Sequence, residues 1–306
     1  MTVASIFASP VDTAVFGSYK ARRPSPKNGV ERPLYPFQGR ITDPGSAPFG
    51  AEPGRYHLYL SYGCPWAHIA AVVRVAKKLD DVVTASYVDE DRDGRGWAFR
   101  ERFGPDPVNG FALLRDAYEA TEPGYDGHIS VPTLWDRTTA QVASNDFPVI
   151  PVDLATRFDA WGDASLDLYP TGLRPAIDAF DARITTAART GGLDDDGSNV
   201  LDALDLRLGT DAFVHGDSPT LSDVRLWVKL IRFELNFAAA IERDGKALPD
   251  YPNLWSYTRR LHERHEYSAT THIEALYEQR ARLLAGRPQG PLHEAAARRD
   301  EAWAKG

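Results

Sequence analysis

The segment from Arg55 to Val88 constrains this chain more than any other. Residues 56–62 (YHLYLSY) carry aromatic and apolar side chains at strand density, and Cys64-Pro65-Trp66-Ala67 follows almost at once. Residues 68–79 then show helical spacing, with Ile69, Val72, Val73, Ala76 and Leu79 near one face and Arg74, Lys77 and Lys78 off it. Residues 82–88 (VVTASYV) read as a second strand. Strand, helix and strand within about thirty residues make a βαβ crossover, which requires two parallel strands joined by a helix across one sheet face.

The following residues extend that sheet and then end it. An insertion of mixed character occupies 89–109, and 111–119 has the pattern of a short helix. Val131-Pro132 opens a third strand, a turn at 136–139 leads to a fourth at 141–143, and Ser144-Asn145-Asp146 is a good N-cap cluster for a helix to about Arg157. From about Asp163 the strand signals stop. Residues 174–188, 200–208, 221–242, 251–262 and 271–284 have helical spacing, 191–198 read as a loop, and Thr220-Leu221-Ser222-Asp223 resembles a capping box. Residues 1–54, rich in Pro and Gly, read as an irregular extension in which Tyr35, Phe37 and Phe49 are available to lie against something larger. The polar tail after Arg287 is either a short final helix or frayed.

The expected organisation is therefore an extension (1–54), a thioredoxin-like α/β domain (55–157), an all-α domain (163–285) and a polar tail (286–306). A βαβ–ββα unit followed by helices is the element order of the glutathione-transferase fold. In that fold class the active site is expected where the two domains meet.

Cys64 stands at the junction of the first strand and its helix. Pro65 occupies the first helical turn, where its missing N–H costs nothing, and the free N–H groups of Trp66 and Ala67 point toward the sulfur. A helix end is worth ~1–2 kcal/mol to an anion, roughly one pKa unit in favour of thiolate. The chain has one cysteine, so it forms no internal disulfide, and Ala67 takes the place of the second Cys of a thioredoxin-type motif. Any disulfide formed on Cys64 must be resolved by an external thiol. A lone cysteine is otherwise often buried and inert; the flanking strand, Pro65 and the helix favour the reactive reading. Single-cysteine usage fits a reducing, cytoplasmic setting.

Two other features bear on the same chemistry. Val131-Pro132, directly before a strand and downstream of the thiol, suggests a cis bond that exposes the Val131 backbone to an extended, peptide-like ligand. Ser144-Asn145-Asp146 either caps a helix only, or also grips the charged end of a small thiol, Asp146 taking an ammonium and the helix N–H groups an anion.

Several function classes are disfavoured. The net charge is −8 and no basic stripe is interleaved with aromatics, which argues against a nucleic-acid partner. No stretch reaches the length of a membrane span, and residues 1–17 lack the features of a signal peptide. Glu90-Asp91-Arg92-Asp93 lacks the rest of a calcium-loop pattern, Asp194-Asp195-Asp196-Gly197 reads as a turn, and the eight His show no ligand pairing beyond His262 and His265. No metal is expected. His68 is either close to the thiolate or an ordinary helix residue, and Trp66 is a ligand or dimer contact or packs the helix start.

Across most of its length the sequence resembles the glutathionyl-hydroquinone reductases, also called Xi-class glutathione transferases. The resemblance is carried by Arg55 to Ser61 (RYHLYLS) followed by Cys64-Pro65-Trp66-Ala67-His68, by Gly96-Trp97-Ala98-Phe99, by Val131 to Asp136 (VPTLWD) and by Ser144-Asn145-Asp146, in the family's order. It continues through Asp167-Leu168-Tyr169-Pro170, Gly216-Asp217, Leu230-Ile231-Arg232-Phe233, Asp250 to Trp255 (DYPNLW) and His272 to Tyr277 (HIEALY). The resemblance implies that Cys64 is the nucleophile and that Trp97, Val131, Pro132, Asn145 and Asp146, with Pro65 and Trp66 beside the thiol, form the cofactor site. It implies that Tyr277 lines the aromatic-substrate pocket and donates a hydrogen bond or proton to the ring oxygen, and that the protein is a homodimer. The implied reaction is thiol-dependent reduction of an S-conjugated hydroquinone through a Cys64 mixed disulfide. A general thioltransferase and a non-catalytic interaction module are the alternatives; the intact Cys-Pro-Trp-Ala argues against the latter.

The chain departs from the family pattern at specific places. Where the family usually has Glu-Ser, it has Asp146-Phe147, which shortens the acid and removes a hydroxyl. Residues 184–192 contain no tyrosine, and Phe237 stands where a tyrosine is often seen. The co-substrate is expected to be glutathione or another low-molecular-weight thiol such as mycothiol. The excess of Arg over Lys, 28 against 7, fits a GC-rich actinobacterium, a group that uses that glycosidic thiol.

Overall fold

The computed structural model describes residues 6–194 and 196–305. Residues 1–5 of the extension, Asp195 of the expected 194–197 turn and Gly306 lie outside the described residues. The chain divides into two compact units, Met1–Leu166 and Asp167–Gly306.

In chain order the first unit contains α1 (Thr13–Phe16), β1 (Tyr56–Leu60), α2 (Pro65–Ala76), β2 (Val83–Tyr87), α3 (Arg115–Thr121), β3 (Thr133–Asp136), β4 (Gln141–Ser144) and α4 (Ile150–Thr156). The sheet order is β2-β1-β3-β4, with β1 parallel to β2 and antiparallel to β3, and β3 antiparallel to β4. This is the thioredoxin-like arrangement. Every residue of β1 is buried, as befits a central strand covered on both faces. Helices α2 and α4 pack against each other, and α3 lies along β4.

The element edges differ from the sequence reading for physical reasons. β1 ends at Leu60, and the Ser61 hydroxyl just beyond it donates to Glu90. β3 begins only at Thr133, after a cis Val131-Pro132 bond. The helix expected to follow Ser144-Asn145-Asp146 directly begins one turn later, at Ile150, with Val149 as its cap residue. The Asp146 carbonyl takes the Val149 and Ile150 N–H groups at 3.0 and 3.1 Å, and the Asn145 side chain is spent elsewhere.

The extension is built into this unit. Gln38 bridges Ser144 in antiparallel fashion, the Gly39 N–H reaches the Ala143 carbonyl at 3.0 Å, and the Asn145 N–H reaches the Phe37 carbonyl at 2.8 Å. Residues 37–39 thus continue the sheet beyond β4. Buried Asp153 of α4 fixes the next two residues, accepting from the Arg40 guanidinium at 2.6 Å and from the Ile41 N–H at 2.8 Å.

The second unit is all helical: α5 (Arg174–Arg189), α6 (Val200–Leu208), α7 (Leu221–Leu230), α8 (Phe233–Asn236), α9 (Ala238–Asp244), α10 (Pro252–His262), α11 (His265–Ser268), α12 (Ile273–Leu284) and α13 (Pro291–Ala304). The capping box at the start of α7 is present, and the Thr220 N–H donates to the Asp223 carboxylate at 2.7 Å. That buried carboxylate also accepts from the Val214 N–H and the Tyr257 hydroxyl. The single helix expected over 221–242 is broken into α7, α8 and α9. The Asn236 amide donates to the Lys229 and Arg232 carbonyls at 3.0 and 3.1 Å, and Arg299 of α13 takes the Ile231 carbonyl at 2.8 Å. Side chains therefore satisfy carbonyls that a continuous helix would use. The tail forms α13, whose buried face carries Leu292, Ala295, Ala296 and Arg299, and Arg299 pairs there with buried Glu234.

Candidate active site

Cys64 is the N-cap residue of α2, with extended backbone (φ −74°, ψ 117°), and Pro65 occupies the first helical turn. The first intrahelical bond runs from the His68 N–H to the Cys64 carbonyl at 3.0 Å. The helix N-terminus, with its partial positive charge, thus lies beside a half-exposed thiol.

A buried carboxylate sets the turn that delivers the cysteine. Glu90 accepts from the Ser61 hydroxyl at 2.9 and 3.0 Å and from the Gly63 N–H at 2.9 Å. The Ser61 oxygen in turn accepts from the Cys64 N–H at 3.3 Å. Two of the three residues before Cys64 are thus tied to one side chain at the far end of β2. The sequence reading weighed Glu90 only as part of an acidic loop. Its signal, an acidic residue just after a strand parallel to the thiol-bearing one, is too generic to stand out.

Facing the sulfur is the cis-proline loop. The thiol donates to the Val131 carbonyl at 3.4 Å, and the Val131 N–H has no hydrogen-bond partner among the described residues. The loop is held from behind by a buried hydroxyl network. The Tyr118 hydroxyl lies 2.8 Å from the Thr133 Oγ1, and Thr133 donates to the Ser130 carbonyl at 2.6 Å. An open backbone N–H beside a reactive sulfur is what an extended, peptide-like ligand would pair with.

The residues expected around the cofactor fall into different settings. Asn145 is fully buried: its Oδ1 accepts from the Phe37 N–H at 3.1 Å, and its Nδ2 donates toward the Ser130 and Tyr118 hydroxyls at 3.3 and 3.4 Å. Its polar atoms serve the extension and the cis-proline loop. Asp146 is half-buried, and its carboxylate makes no hydrogen bond or ion pair among the described residues. Burial, with the charge of Asp153, pushes its carboxyl above the usual range against the pull of Arg40. Trp97 is nearly buried, and the Arg92 guanidinium lies 3.9 Å from its ring centroid. His68 is buried within α2. In the helical unit Tyr277 of α12 is 42% exposed, and the Arg280 guanidinium lies 4.8 Å from its ring centroid.

An aromatic cluster lies next to the motif. The Trp66 and Phe147 rings are 4.5 Å apart, Phe147 meets Tyr35 edge-on at 5.1 Å, and Tyr35 meets His128 edge-on at 5.6 Å. The Tyr35 phenol is pushed above its ordinary range by burial first, then by the nearby Cys64 charge and by Tyr118. Sequence reading offered Tyr35 only as a packing residue of the extension.

A thioredoxin-like sheet with a cysteine capping its first crossover helix, a cis-proline loop opposite it, and a separate helical unit define a cysteine-type glutathione transferase. Residues 163–260 match the family model described as "Glutathione S-transferase, C-terminal domain". The chain is 32% identical over 236 residues to the glutathionyl-hydroquinone reductase PcpF of Sphingobium chlorophenolicum, covering 71% of this chain and 75% of that one. A solved Xi-class glutathione transferase from Natrialba magadii superposes with a TM-score of 0.69 at 29% identity, covering 78% of this chain and 80% of the other. The glutathione-bound structure of the Escherichia coli K-12 glutathione transferase homologue YqjG does so with a TM-score of 0.68 at 28% identity, covering 78% and 85%. The chain belongs to the glutathionyl-hydroquinone reductases, the Xi-class glutathione transferases, and is an enzyme of that class.

Proposed function

We propose that the enzyme removes a low-molecular-weight thiol from S-conjugated hydroquinones through a mixed disulfide on Cys64. The observation that carries this reading is a lone cysteine at a helix N-terminus, opposite a cis-proline loop with an open backbone N–H. The Cys64 thiolate attacks the sulfur of the conjugate. A disulfide forms between Cys64 and the small thiol, the carbon–sulfur bond breaks, and the ring carbon takes a proton to give the hydroquinone. A second thiol, as thiolate, attacks the mixed disulfide, releases an oxidised thiol dimer and returns the Cys64 thiolate. The ring is reduced by two electrons, and the conjugate's thioether sulfur and one free thiol end as one disulfide, so the sequence balances. The hydroxyl of Tyr277, which makes no hydrogen bond among the described residues, is the donor proposed for the ring oxygen.

The thiol itself is open to a more specific reading. Asp146 remains available for an ammonium, as glutathione requires. Phe147 brings no hydrogen-bonding group and lies in an aromatic wall with Trp66 and Tyr35, a surface suited to an apolar or sugar-like face. That observation favours a glycosidic thiol such as mycothiol over glutathione. Family resemblance supports a homodimer, and single-cysteine usage supports a cytoplasmic setting.

Intact-mass spectrometry after incubation with glutathione disulfide and mycothiol disulfide tests both parts. One adduct is expected on the wild type and none on Cys64→Ser, with the mycothiol adduct formed faster. An adduct of equal yield on Cys64→Ser would overturn the mechanism, and a faster glutathione adduct would overturn the choice of thiol.

A further inference from the structure

We propose that Tyr35 is a further residue of the thiol site: its ring closes the wall begun by Trp66 and Phe147, and its hydroxyl donates a hydrogen bond to the polar end of the bound thiol. The inference rests on the reading of Cys64 as a thiol-transfer centre.

Tyr35 belongs to the extension, yet its place is fixed. Two residues on, the Phe37 backbone is paired at both its N–H and its carbonyl with Asn145, Gly39 is paired with Ala143, and Arg40 and Ile41 are held by Asp153. The ring meets both Phe147 and His128 edge-on, at interplanar angles of 73° and 70°. Phe147 in turn touches Trp66, two residues beyond Cys64. A chain of ring contacts therefore leads from the extension to the nucleophile's helix.

The hydroxyl separates this tyrosine from its neighbours. Tyr19 donates to the Ile129 carbonyl at 3.1 Å, Tyr125 to the His128 carbonyl at 3.2 Å, and Tyr118 is surrounded by the Ser130 and Thr133 hydroxyls. The Tyr35 hydroxyl has no hydrogen-bond partner among the described residues, although its ring is half-buried. A ring that served only to pack on Phe147 has no use for the oxygen, which is left open to a ligand in the site. The influence of the Cys64 charge on this phenol places the two groups within electrostatic reach. The extension thus returns, from more than a hundred residues away, the hydroxyl that Phe147 lacks.

Tyr35→Phe keeps the ring and removes only the oxygen. Losing one neutral hydrogen bond is expected to raise the thiol's KM about three- to tenfold, with kcat at saturating thiol and the melting temperature unchanged. Glutathione and mycothiol are each used as probes. Binding alone is read by tryptophan fluorescence on Cys64→Ser with and without Tyr35→Phe. A three- to tenfold weaker Kd for either thiol in the double variant supports the proposal, and equal Kd values for both thiols overturn it. Loss of the Cys64 adduct in the wild type, with the Kd difference intact, counts against the thiol-transfer reading and leaves Tyr35 in its binding role.

Discussion

Removing the Asn145 side chain separates a structural role from a cofactor role at a position where the sequence pointed to the latter. In Asn145→Ala the partly buried Phe37 N–H loses its acceptor at 3.1 Å, on a side chain that is itself fully buried. A buried donor left unmatched costs about 1–3 kcal/mol. The contacts of Nδ2 with Ser130 and Tyr118 are long, at 3.3 and 3.4 Å, and the two hydroxyls keep other partners. They add ~0.5 kcal/mol each, at the low end for a hydrogen bond. The total is about 2–4 kcal/mol, which for a chain of this size lowers the melting temperature by roughly 3–6 °C. Calorimetry and urea denaturation check the magnitude, with an unchanged m-value showing that the denatured state is the same. Thiol KM, measured well below the lowered melting temperature, is expected to stay within about threefold, since no polar atom of Asn145 is left for a ligand. A variant that melts like the wild type but binds thiol ten times more weakly would refute the structural assignment.

Tyr277→Phe is expected to slow turnover of aromatic conjugates at least tenfold while leaving reduction of a simple mixed disulfide within twofold, because only a carbon leaving group needs its ring oxygen stabilised; steady-state kinetics on both substrates checks this, and equal losses would support a general thioltransferase. His57 is buried and bonded to the Thr84 and Ser86 hydroxyls, and burial brings its imidazole down to about 3. The unfolded chain takes up this proton below about pH 6.5 while the folded one does not, so this site removes up to ~1.4 kcal/mol of stability per pH unit between pH 6.5 and 3. Urea denaturation across that range should show a shallower slope in His57→Gln than in the wild type, and parallel slopes would exclude the mechanism.

The legible parts of the structure were those written locally. Cys64-Pro65 between a strand and a helix, the cis Val131-Pro132 ahead of β3, and the Thr220–Asp223 box each depend on residues within a few positions of one another. The break between α7 and α9 was not legible. Hydrophobic periodicity runs through 221–242 without a Gly or Pro, and the interruption comes from the Asn236 amide and from Arg299 of α13. The delayed start of α4 was hidden for the same reason: a perfect capping sequence lost its amide to Phe37, 108 residues earlier. Around the site, residue types were readable while their partners were not: nothing local in 144–146 announces that the Asn145 amide bonds the Phe37 N–H.

The unreadable bonds share a physical cause, and it bears on how the site works. A strand end, a cis-proline loop and an added edge segment all present backbone N–H groups that no regular ladder satisfies, and burial makes each one costly if left open. Glu90 answers this for Gly63, Asn145 for Phe37 and Asp153 for Ile41, across 27, 108 and 112 residues of chain. A carboxylate or amide that accepts from a backbone N–H and also bonds a second group fixes position more narrowly than apolar contact does, because hydrogen-bond geometry tolerates little displacement. In each case the second bond leads toward the thiol site: Glu90 through Ser61 to the Cys64 N–H, Asn145 to the Ser130 beside Val131, and Asp153 through Arg40 to the segment that carries Tyr35. The backbone at Cys64, the loop that carries Val131 and the segment that carries Tyr35 are therefore each held from behind by a buried polar clamp.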